Sequence, residues 1–183
     1  MLAAAAELFA TAGPARTTTN RIAARAGVSV GSLYQYFPNK EAILAALGER
    51  HAAQVEAALG PSLARLADPA IPLRRSLHDL LVGLCAVHDA EPLLARAVSA
   101  PAPHLPRLTA AQRKHGDGHA AQVEALLRAR TDVRAGDRSV MARLLVQAVD
   151  ALARWLGHDL RPGPERELAI DEVGRMLAGY LAP

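Results

Sequence analysis

The sequence predicts an all-α protein, and three observations carry that prediction. Apolar residues recur at helical spacing through most of the chain, glycine and proline punctuate it at helix-length intervals, and no stretch shows the strict apolar–polar alternation of a half-buried strand. With 183 residues, 51% of them hydrophobic, the chain can bury a substantial core as one domain or as two small ones sharing a helix. The expected division is an N-terminal three-helix domain with a helix-turn-helix over residues 1–46, then a C-terminal helical domain over residues 47–183.

The first helix is expected over Leu2 to Thr11, with Leu2, Ala5, Ala6 and Phe9 on one stripe and Gly13 and Pro14 ending it. MLAAAAELFATAG superficially resembles a signal peptide, but it lacks a positive n-region and Glu7 interrupts the apolar run. The chain is then organised around Thr17 to Lys40, TTTNRIAARAGVSVGSLYQYFPNK. Ile22, Ala23 and Ala26 give a short helix one apolar face, and Thr17, Thr18 or Thr19 can cap its amides. Gly27 stands where the chain must leave that helix, a position that favours a left-handed backbone. Ser29 caps a second helix, Val30 to Phe37, whose Leu33 and Phe37 point inward and whose Ser32, Gln35 and Tyr36 point out before Pro38 stops it. From Arg16 to Lys40 the chain holds Arg16, Arg21, Arg25 and Lys40 and no acidic residue, which suits a surface laid against phosphates.

The pattern TTxxIAxxAGVSxGxLYxYFxxK within this stretch resembles the motif of the TetR (tetracycline repressor-like) family of bacterial one-component transcription regulators. Only about the first quarter of the chain carries that motif, and the remainder matches in helical architecture alone. The resemblance implies an all-helical homodimer whose N-terminal domain binds a double-stranded DNA operator and whose C-terminal domain binds a small-molecule effector and dimerises. It implies that Val30, Gly31, Ser32 and Gln35 face the major groove, that Thr19, Tyr34, Tyr36 and Lys40 hold phosphates, and that Asn20 serves in either way. Members usually carry about ten further residues, often basic, before the first helix, and the sequence leaves open whether such an arm precedes Met1.

After Pro38, Asn39 caps a long helix with Ile43, Leu44, Leu47 and Val55 as its core stripe, ending at Gly60 and Pro61. A connector from Pro61 to Ile71 holds one short turn around Ser62 to Leu66, and Pro72 opens the next helix, apolar over Leu73, Leu77, Leu80, Leu81, Leu84 and Val87 and running to Asp89. Glu91 and Pro92 start a short helix, Leu93 to Ser99, and Pro101 to Pro106 is a loop. Leu105 to Arg130 is helical but for the glycines of His115-Gly116-Asp117-Gly118-His119, which predict a kink. Asp137 or Ser139 begins a helix to His158, and Glu165 to Leu181 is the last helix, with Leu168, Ile170, Val173, Leu177 and Leu181 inward.

Outside the reading head the residues narrow function mainly by exclusion. Gly27-Val28-Ser29-Val30-Gly31 spells the nucleophile elbow of esterases, yet a helix precedes it where the elbow needs a buried strand, so Ser29 reads as a cap and no enzyme is expected. His115 and His119 stand one helical turn apart without a placed carboxylate partner beyond Asp117, and no metal or cofactor is expected. His78, His88 and His104 read as hydrogen-bonded structural histidines. The single cysteine, Cys85, allows no internal disulfide and fits a reducing cytoplasm, and no stretch is apolar enough to span a membrane. Net charge is only +3, but residues 1–50 hold a surplus of two positive charges, so the basic excess leans N-terminal.

Of the two Phe, three Tyr and one Trp, only Trp155 and Tyr180 fall in the C-terminal domain, which argues against an aromatic cage for a flat cation. An aliphatic effector pocket is expected instead, walled by Leu81, Leu84, Cys85, Leu94, Leu126 and Leu127, with His88, Gln122 and Gln147 as polar anchors. The last two long helices are expected to form the dimer interface. Ala148, Ala151, Gly174 and Ala178 permit close approach, and Leu144, Leu152, Trp155, Val173, Leu177 and Leu181 supply apolar area. The function expected is a ligand-responsive repressor that binds a palindromic operator as a dimer and is released by a small apolar ligand. The alternative is a helical small-molecule-binding protein without operator binding.

Overall fold

The computed structural model describes residues 1–100 and 106–183, with side chains described through residue 100 and again from residue 116. The stretch from Pro101 with His104, and the side chain of His115, lie outside the described residues. Among those described, the elements are α1 (Leu2–Arg16), α2 (Thr19–Ala26), α3 (Val30–Tyr36), α4 (Lys40–Ala67), α5 (Leu73–Ala90), α6 (Pro92–Ser99), α7 (Pro106–Ala129), α8 (Arg138–His158) and α9 (Pro164–Leu181), with no strand. The chain divides into two compact bodies, Met1–Gln54 with Glu91–Gln112 and Val55–Ala90 with Arg113–Pro183. The first body therefore extends past residue 46 into α4 and takes in α6, which returns from later in the chain to pack along α1.

The first body closes over the helix-turn-helix. Ala5, Ala6 and Phe9 of α1, Ile22 and Ala23 of α2, Leu33 of α3, and Ile43, Leu44 and Leu47 of α4 share one cluster with Leu94, Ala97 and Val98 of α6. α1 breaks at Gly13, whose φ of 76° and ψ of 163° are open to glycine at no steric cost, and Pro14 follows buried. Glu91 precedes α6 and ties it to α4, accepting from Arg50 at 2.5 Å and Gln54 at 2.7 Å. Chiefly through the Arg50 hydrogen bond, the Glu91 carboxyl is held below the usual glutamate range.

The second body packs α5 against α8 and α9. Leu77, Leu80, Leu81 and Leu84 meet Leu127, Leu145, Val149, Leu156, Ile170, Val173 and Leu177 in a single cluster. Asp137 caps α8, accepting from the amides of Ser139 at 2.9 Å and Val140 at 3.1 Å. Between α4 and α5, the buried Arg130 donates to the carbonyls of Leu66, Asp68 and Ile71 at 2.8–3.0 Å and grips both carboxylate oxygens of Asp132. Burial pushes the Cys85 thiol above its ordinary range, in keeping with a small core residue.

Three elements differ from the sequence expectation. α4 does not end at Gly60 and Pro61 but continues to Ala67, absorbing the turn expected around Ser62. Pro61 forfeits one helical hydrogen bond, but Leu59, Leu63 and the buried Leu66 gain a place on the second core, and tertiary packing outweighs the local signal. α7 runs as one helix through Gly116 and Gly118. Each glycine costs about 1 kcal/mol relative to alanine, an amount that burial of Ala120, Val123 and Leu127 offsets. In α9, Leu168 points outward at 64% exposure rather than into the core.

Candidate nucleic-acid interface

The reading head is built by local chemistry at each turn. Thr18 adopts an extended backbone and its Oγ1 accepts from the amide of Arg21 at 3.3 Å, which settles which of the three threonines caps α2. Gly27 closes α2 with φ 67° and ψ 29°, and two bonds, from the Gly27 amide to Ala24 at 3.2 Å and from the Val28 amide to Ala23 at 3.1 Å, take up the last carbonyls. Ser29 then caps α3, accepting from the Ser32 amide at 3.0 Å. Leu33 is the peg that seats α3: it is wholly buried, while Val30, Gly31, Tyr34, Gln35 and Tyr36 around it are exposed. Ser32 is half-buried, its hydroxyl 2.8 Å from that of Ser29.

α2 and α3 are joined on the outside of this turn by Thr19 Oγ1 and the Tyr34 hydroxyl at 3.2 Å. Asn20 stands exposed beside them. The expected groove-facing and phosphate-facing residues on α2 and α3 are thus exposed or half-buried, and the last of the set is Lys40 of α4. Its ammonium is half-buried and donates to the carbonyl oxygens of Pro14 at 2.8 Å and Thr17 at 3.2 Å. The basic character of the stretch is also lower than its own composition suggests. Arg25 pairs with Glu7 of α1 at 2.7 Å, and Arg21 and Arg16 donate to the carbonyls of Arg16 and Ala12. Glu7 lies outside the motif, so a reading confined to Arg16–Lys40 had no means of counting it.

In the second body the residues expected to wall an effector pocket do not all meet. Leu81, Leu84, Cys85 and Leu127 are buried in one cluster with Leu126 against it, and His88 is buried beside them on α5. Leu94 belongs to the core of the first body, and Gln122 and Gln147 are exposed. Two shallow clefts open on this body, one of about 290 Å³ lined by Pro72, Arg74, Arg75, His78 and Asp171 and one of about 200 Å³ lined by Asp117, Ala120, Ala121, Glu124, Ser139 and Arg143. Among the described residues, no group of three or more metal-ligating side chains converges.

The residues expected at a dimer interface separate by helix. On α8, Leu144 at 53% and Trp155 at 42% are exposed with Ala151, and Ala148 and Leu152 are half-buried. On α9 the expected face lies inside the protomer. Val173, Gly174, Leu177 and Leu181 are buried, Ala178 packs against the same core, and a methyl on Gly174 would touch Arg74 and His78 of α5 at 3.8–3.9 Å. The reason is that Gly174 and Ala178 let α9 approach α5 of the same chain, so small residues four apart mark a close helix crossing without saying whose helix crosses. The outward apolar side chains of α9 are Leu168 and Met176.

Comparison with known proteins agrees with this geometry. Residues 1–47 match the family model of bacterial regulatory proteins of the tetR family, and residues 72–181 match a tetracyclin repressor-like C-terminal domain. No match was found among curated proteins. Among solved structures, NalD of Pseudomonas aeruginosa, the secondary repressor of the MexAB-OprM multidrug efflux pump, superposes with a TM-score of 0.74 at 20% identity, over 99% of this chain and 93% of that one. A TetR-like transcriptional regulator from Rhodococcus sp. RHA1 gives 0.71 at 24% identity over 98% and 90%, and the fatty acid degradation regulator FadR from Bacillus halodurans gives 0.69 at 18% over 97% and 92%. With both its reading head and most of its C-terminal body matched, the chain belongs to the tetR family of bacterial regulatory proteins and is a DNA-binding transcriptional regulator rather than an enzyme.

Proposed function

We propose that the protein is a ligand-responsive repressor that binds a palindromic operator as a homodimer and leaves it when a small apolar effector binds the C-terminal body. The observation that carries the DNA-reading half is α3 itself, seated by the buried Leu33 and turned so that Val30, Gly31 and Gln35 stand exposed on its outer face. In this reading Val30 packs on a thymine methyl, Gln35 makes a bidentate contact to adenine, and Gly31 and Ser32 let the helix approach the base edges. Thr19, Asn20, Tyr34 and Tyr36 hold phosphates on either side, and the Thr19–Tyr34 bond fixes the two helices in one register on the backbone.

Dimerisation is supported by an apolar stripe on α8 that the protomer leaves open: Val140, Leu144, Ala151 and Trp155 recur at helical spacing and are exposed, and α9 adds Leu168 and Met176. Two reading heads about one helical turn of DNA apart, ~34–36 Å, supply the specificity that one short helix lacks. In this reading the effector enters among the aliphatic side chains of α5 and α7 around Leu81, Leu84, Cys85, Leu126 and Leu127, which the free chain packs as core, with His88 as the polar contact. α4 is part of both bodies, so a ligand that shifts the preferred disposition of its C-terminal half is linked to DNA affinity. A preference of ~1.4 kcal/mol for the non-binding conformer weakens operator affinity tenfold at saturation. That NalD is a repressor at comparable structural similarity supports the sign of regulation.

The test is selection of duplexes from a randomised pool by the purified protein. A palindromic consensus bound by a dimer, with Gln35→Ala relaxing one base pair per half-site by ~1–3 kcal/mol, is the expected outcome. Recovery of no consensus overturns operator binding, and a consensus without twofold symmetry overturns the dimeric reading.

A further inference from the structure

The first two turns of α5 and the middle of α9 frame the larger cleft of the second body, about 290 Å³ lined by Pro72, Arg74, Arg75, His78 and Asp171. The frame is fixed. On the inner side of the same turns, Leu73, Leu77, Ile170 and Val173 are buried in the core. At Gly174, α9 comes so near that a methyl would touch the His78 backbone at 3.8 Å and the Arg74 carbonyl at 3.9 Å.

The charges around this cleft do not cancel. Asp79 lies 3.0 Å from Arg65 Nη2, 3.2 Å from Arg75 Nε and 3.5 Å from His78 Nδ1, which takes up most of that carboxylate's acceptor capacity. Asp171 stands 3.6 Å from the other ring nitrogen of His78, and Arg175 and Glu172, next along α9, pair with each other at 2.9 Å. Arg74 has no polar partner among the described residues, and Arg75 spends only its Nε on Asp79, so the terminal nitrogens of both guanidinium groups remain for a ligand. Arg65, Arg74 and Arg75 carry three positive charges against the two negative charges of Asp79 and Asp171, a surplus of one.

We propose that the cleft binds a small monocarboxylate, held by Arg74 and Arg75. A guanidinium presents paired N–H donors that a planar carboxylate accepts two at a time. The surplus decides among anions: one negative charge matches it, whereas a phosphate dianion exceeds it and meets the like charge of Asp171 on the α9 wall. The Pro72 ring gives the body of the ligand an apolar wall, and a volume just under the roughly 300–1,000 Å³ of small-molecule pockets sets a compact ligand. This site shares no residue with the aliphatic region around Leu81, Leu84 and Leu127, and it does not rest on the effector reading of that region.

The experiment titrates the full chain with benzoate, inorganic phosphate and chloride at constant ionic strength, followed by calorimetry and by amide chemical shifts. The expected result is saturable binding of benzoate, tighter than that of phosphate, with shift changes centred on residues 72–79 and 171–175. Arg74→Gln is expected to weaken benzoate about tenfold and Arg74→Lys less, since a charge remains without the fork. Arg175→Gln, outside the cleft, should bind as wild type does. Asp171→Asn should raise phosphate affinity toward that of benzoate. Arg74 and Arg175 are exposed and the Asp171 side chain is 49% exposed, so the variants keep the fold, which circular dichroism checks. Absence of saturable benzoate binding overturns the proposal, as do binding that survives Arg74→Gln and shifts that map elsewhere on the chain. Phosphate bound more tightly than benzoate by the wild type, or phosphate affinity unmoved by Asp171→Asn, overturns the assignment to a monocarboxylate.

Discussion

Each body of the molecule holds an irregular corner together with one cationic side chain, and the two corners are built differently. In the second body, the Arg130 side chain is fully buried and donates to three backbone carbonyls and to both oxygens of Asp132, so every donor of the guanidinium is used. In the first body Lys40 is half-buried and makes two bonds. A planar fork with five donors suits a corner locked in one shape, whereas an ammonium on a flexible stem holds a corner by two points and leaves its neighbour, the reading head, at the surface. The difference should appear as stability. Arg130→Met strands three carbonyls and is expected to cost about 3–5 kcal/mol in urea unfolding. Asp132→Asn should cost much less, because that carboxylate is 43% exposed. Equal losses for Arg130→Met and Lys40→Met would break the comparison.

α8 and α9 offer a second contrast, between an apolar face left open and one already filled. Leu144→Asp places a carboxylate on the open face of α8 and is expected to weaken dimerisation by about 2–4 kcal/mol while leaving protomer unfolding near wild type. Gly174→Arg acts on the filled face. It drives a long charged side chain between α9 and α5, so it should destabilise the protomer itself, with overpacking alone costing about 1–3 kcal/mol. Sedimentation separates the effects from unfolding. A Gly174→Arg protein that keeps the stability of wild type but sediments as a monomer would restore Gly174 to the subunit interface.

That contrast also marks what the sequence makes legible. The helix-turn-helix is readable residue by residue because its signals are local: a cap at Ser29, a glycine at Gly27 and a peg at Leu33 act within a few positions of where they stand. Helix existence in the second body is equally readable from apolar spacing, but spacing gives a stripe without its partner. Hence Leu168, on a stripe whose spacing points inward, stands out, and Gly174, a small residue suited to any close crossing, packs on α5 of its own chain. Lys40 and Arg130 illustrate a deeper limit. Their roles depend on carbonyls 23 and 26 residues away for Lys40 and 59–64 away for Arg130, and a backbone carbonyl leaves no trace in sequence. Pro61 and the glycines of α7 gave true local signals that packing overrode.

A smaller effect sharpens the local end of that argument. Gly27 has φ 67°, and a methyl there would meet nothing within 4 Å, so the only penalty for Gly27→Ala is the left-handed backbone itself. That penalty is ~1–2 kcal/mol, and the loss should fall on the first body. Gly157 is the opposite case. Its backbone is ordinary, but a methyl would overlap the His88 ring, so Gly157→Ala strains packing between α5 and α8 in the second body. Hydrogen exchange resolves which body loosens in each variant.

The smallest expected effect is the pH dependence that the same crossing creates. His88 is 5% exposed, its ring lies 5.1 Å from that of His158, and burial is the main cause that lowers its pKa below the ordinary 6.5. A hydrogen bond with the Ala153 backbone and the nearby Asp150 and Asp89 act against that shift, and Arg154 acts with it. The folded chain therefore keeps His88 neutral at pH values where the unfolded chain protonates it. Because the unfolded state then binds more protons, stability is full above pH 6.5 and falls as pH drops from there toward the folded-state pKa. Glu91 and Asp132 have pKa values lowered from 4.5 and 3.8, so the stability they contribute is lost only in more acid solution and leaves the His88 window distinct. Urea unfolding at about pH 7.5 and about pH 5.5 should show a decline in wild type with a slope of at most about one proton, and a flatter profile in His88→Gln. An unchanged decline in His88→Gln would assign the effect to another group, with His158 the first to replace.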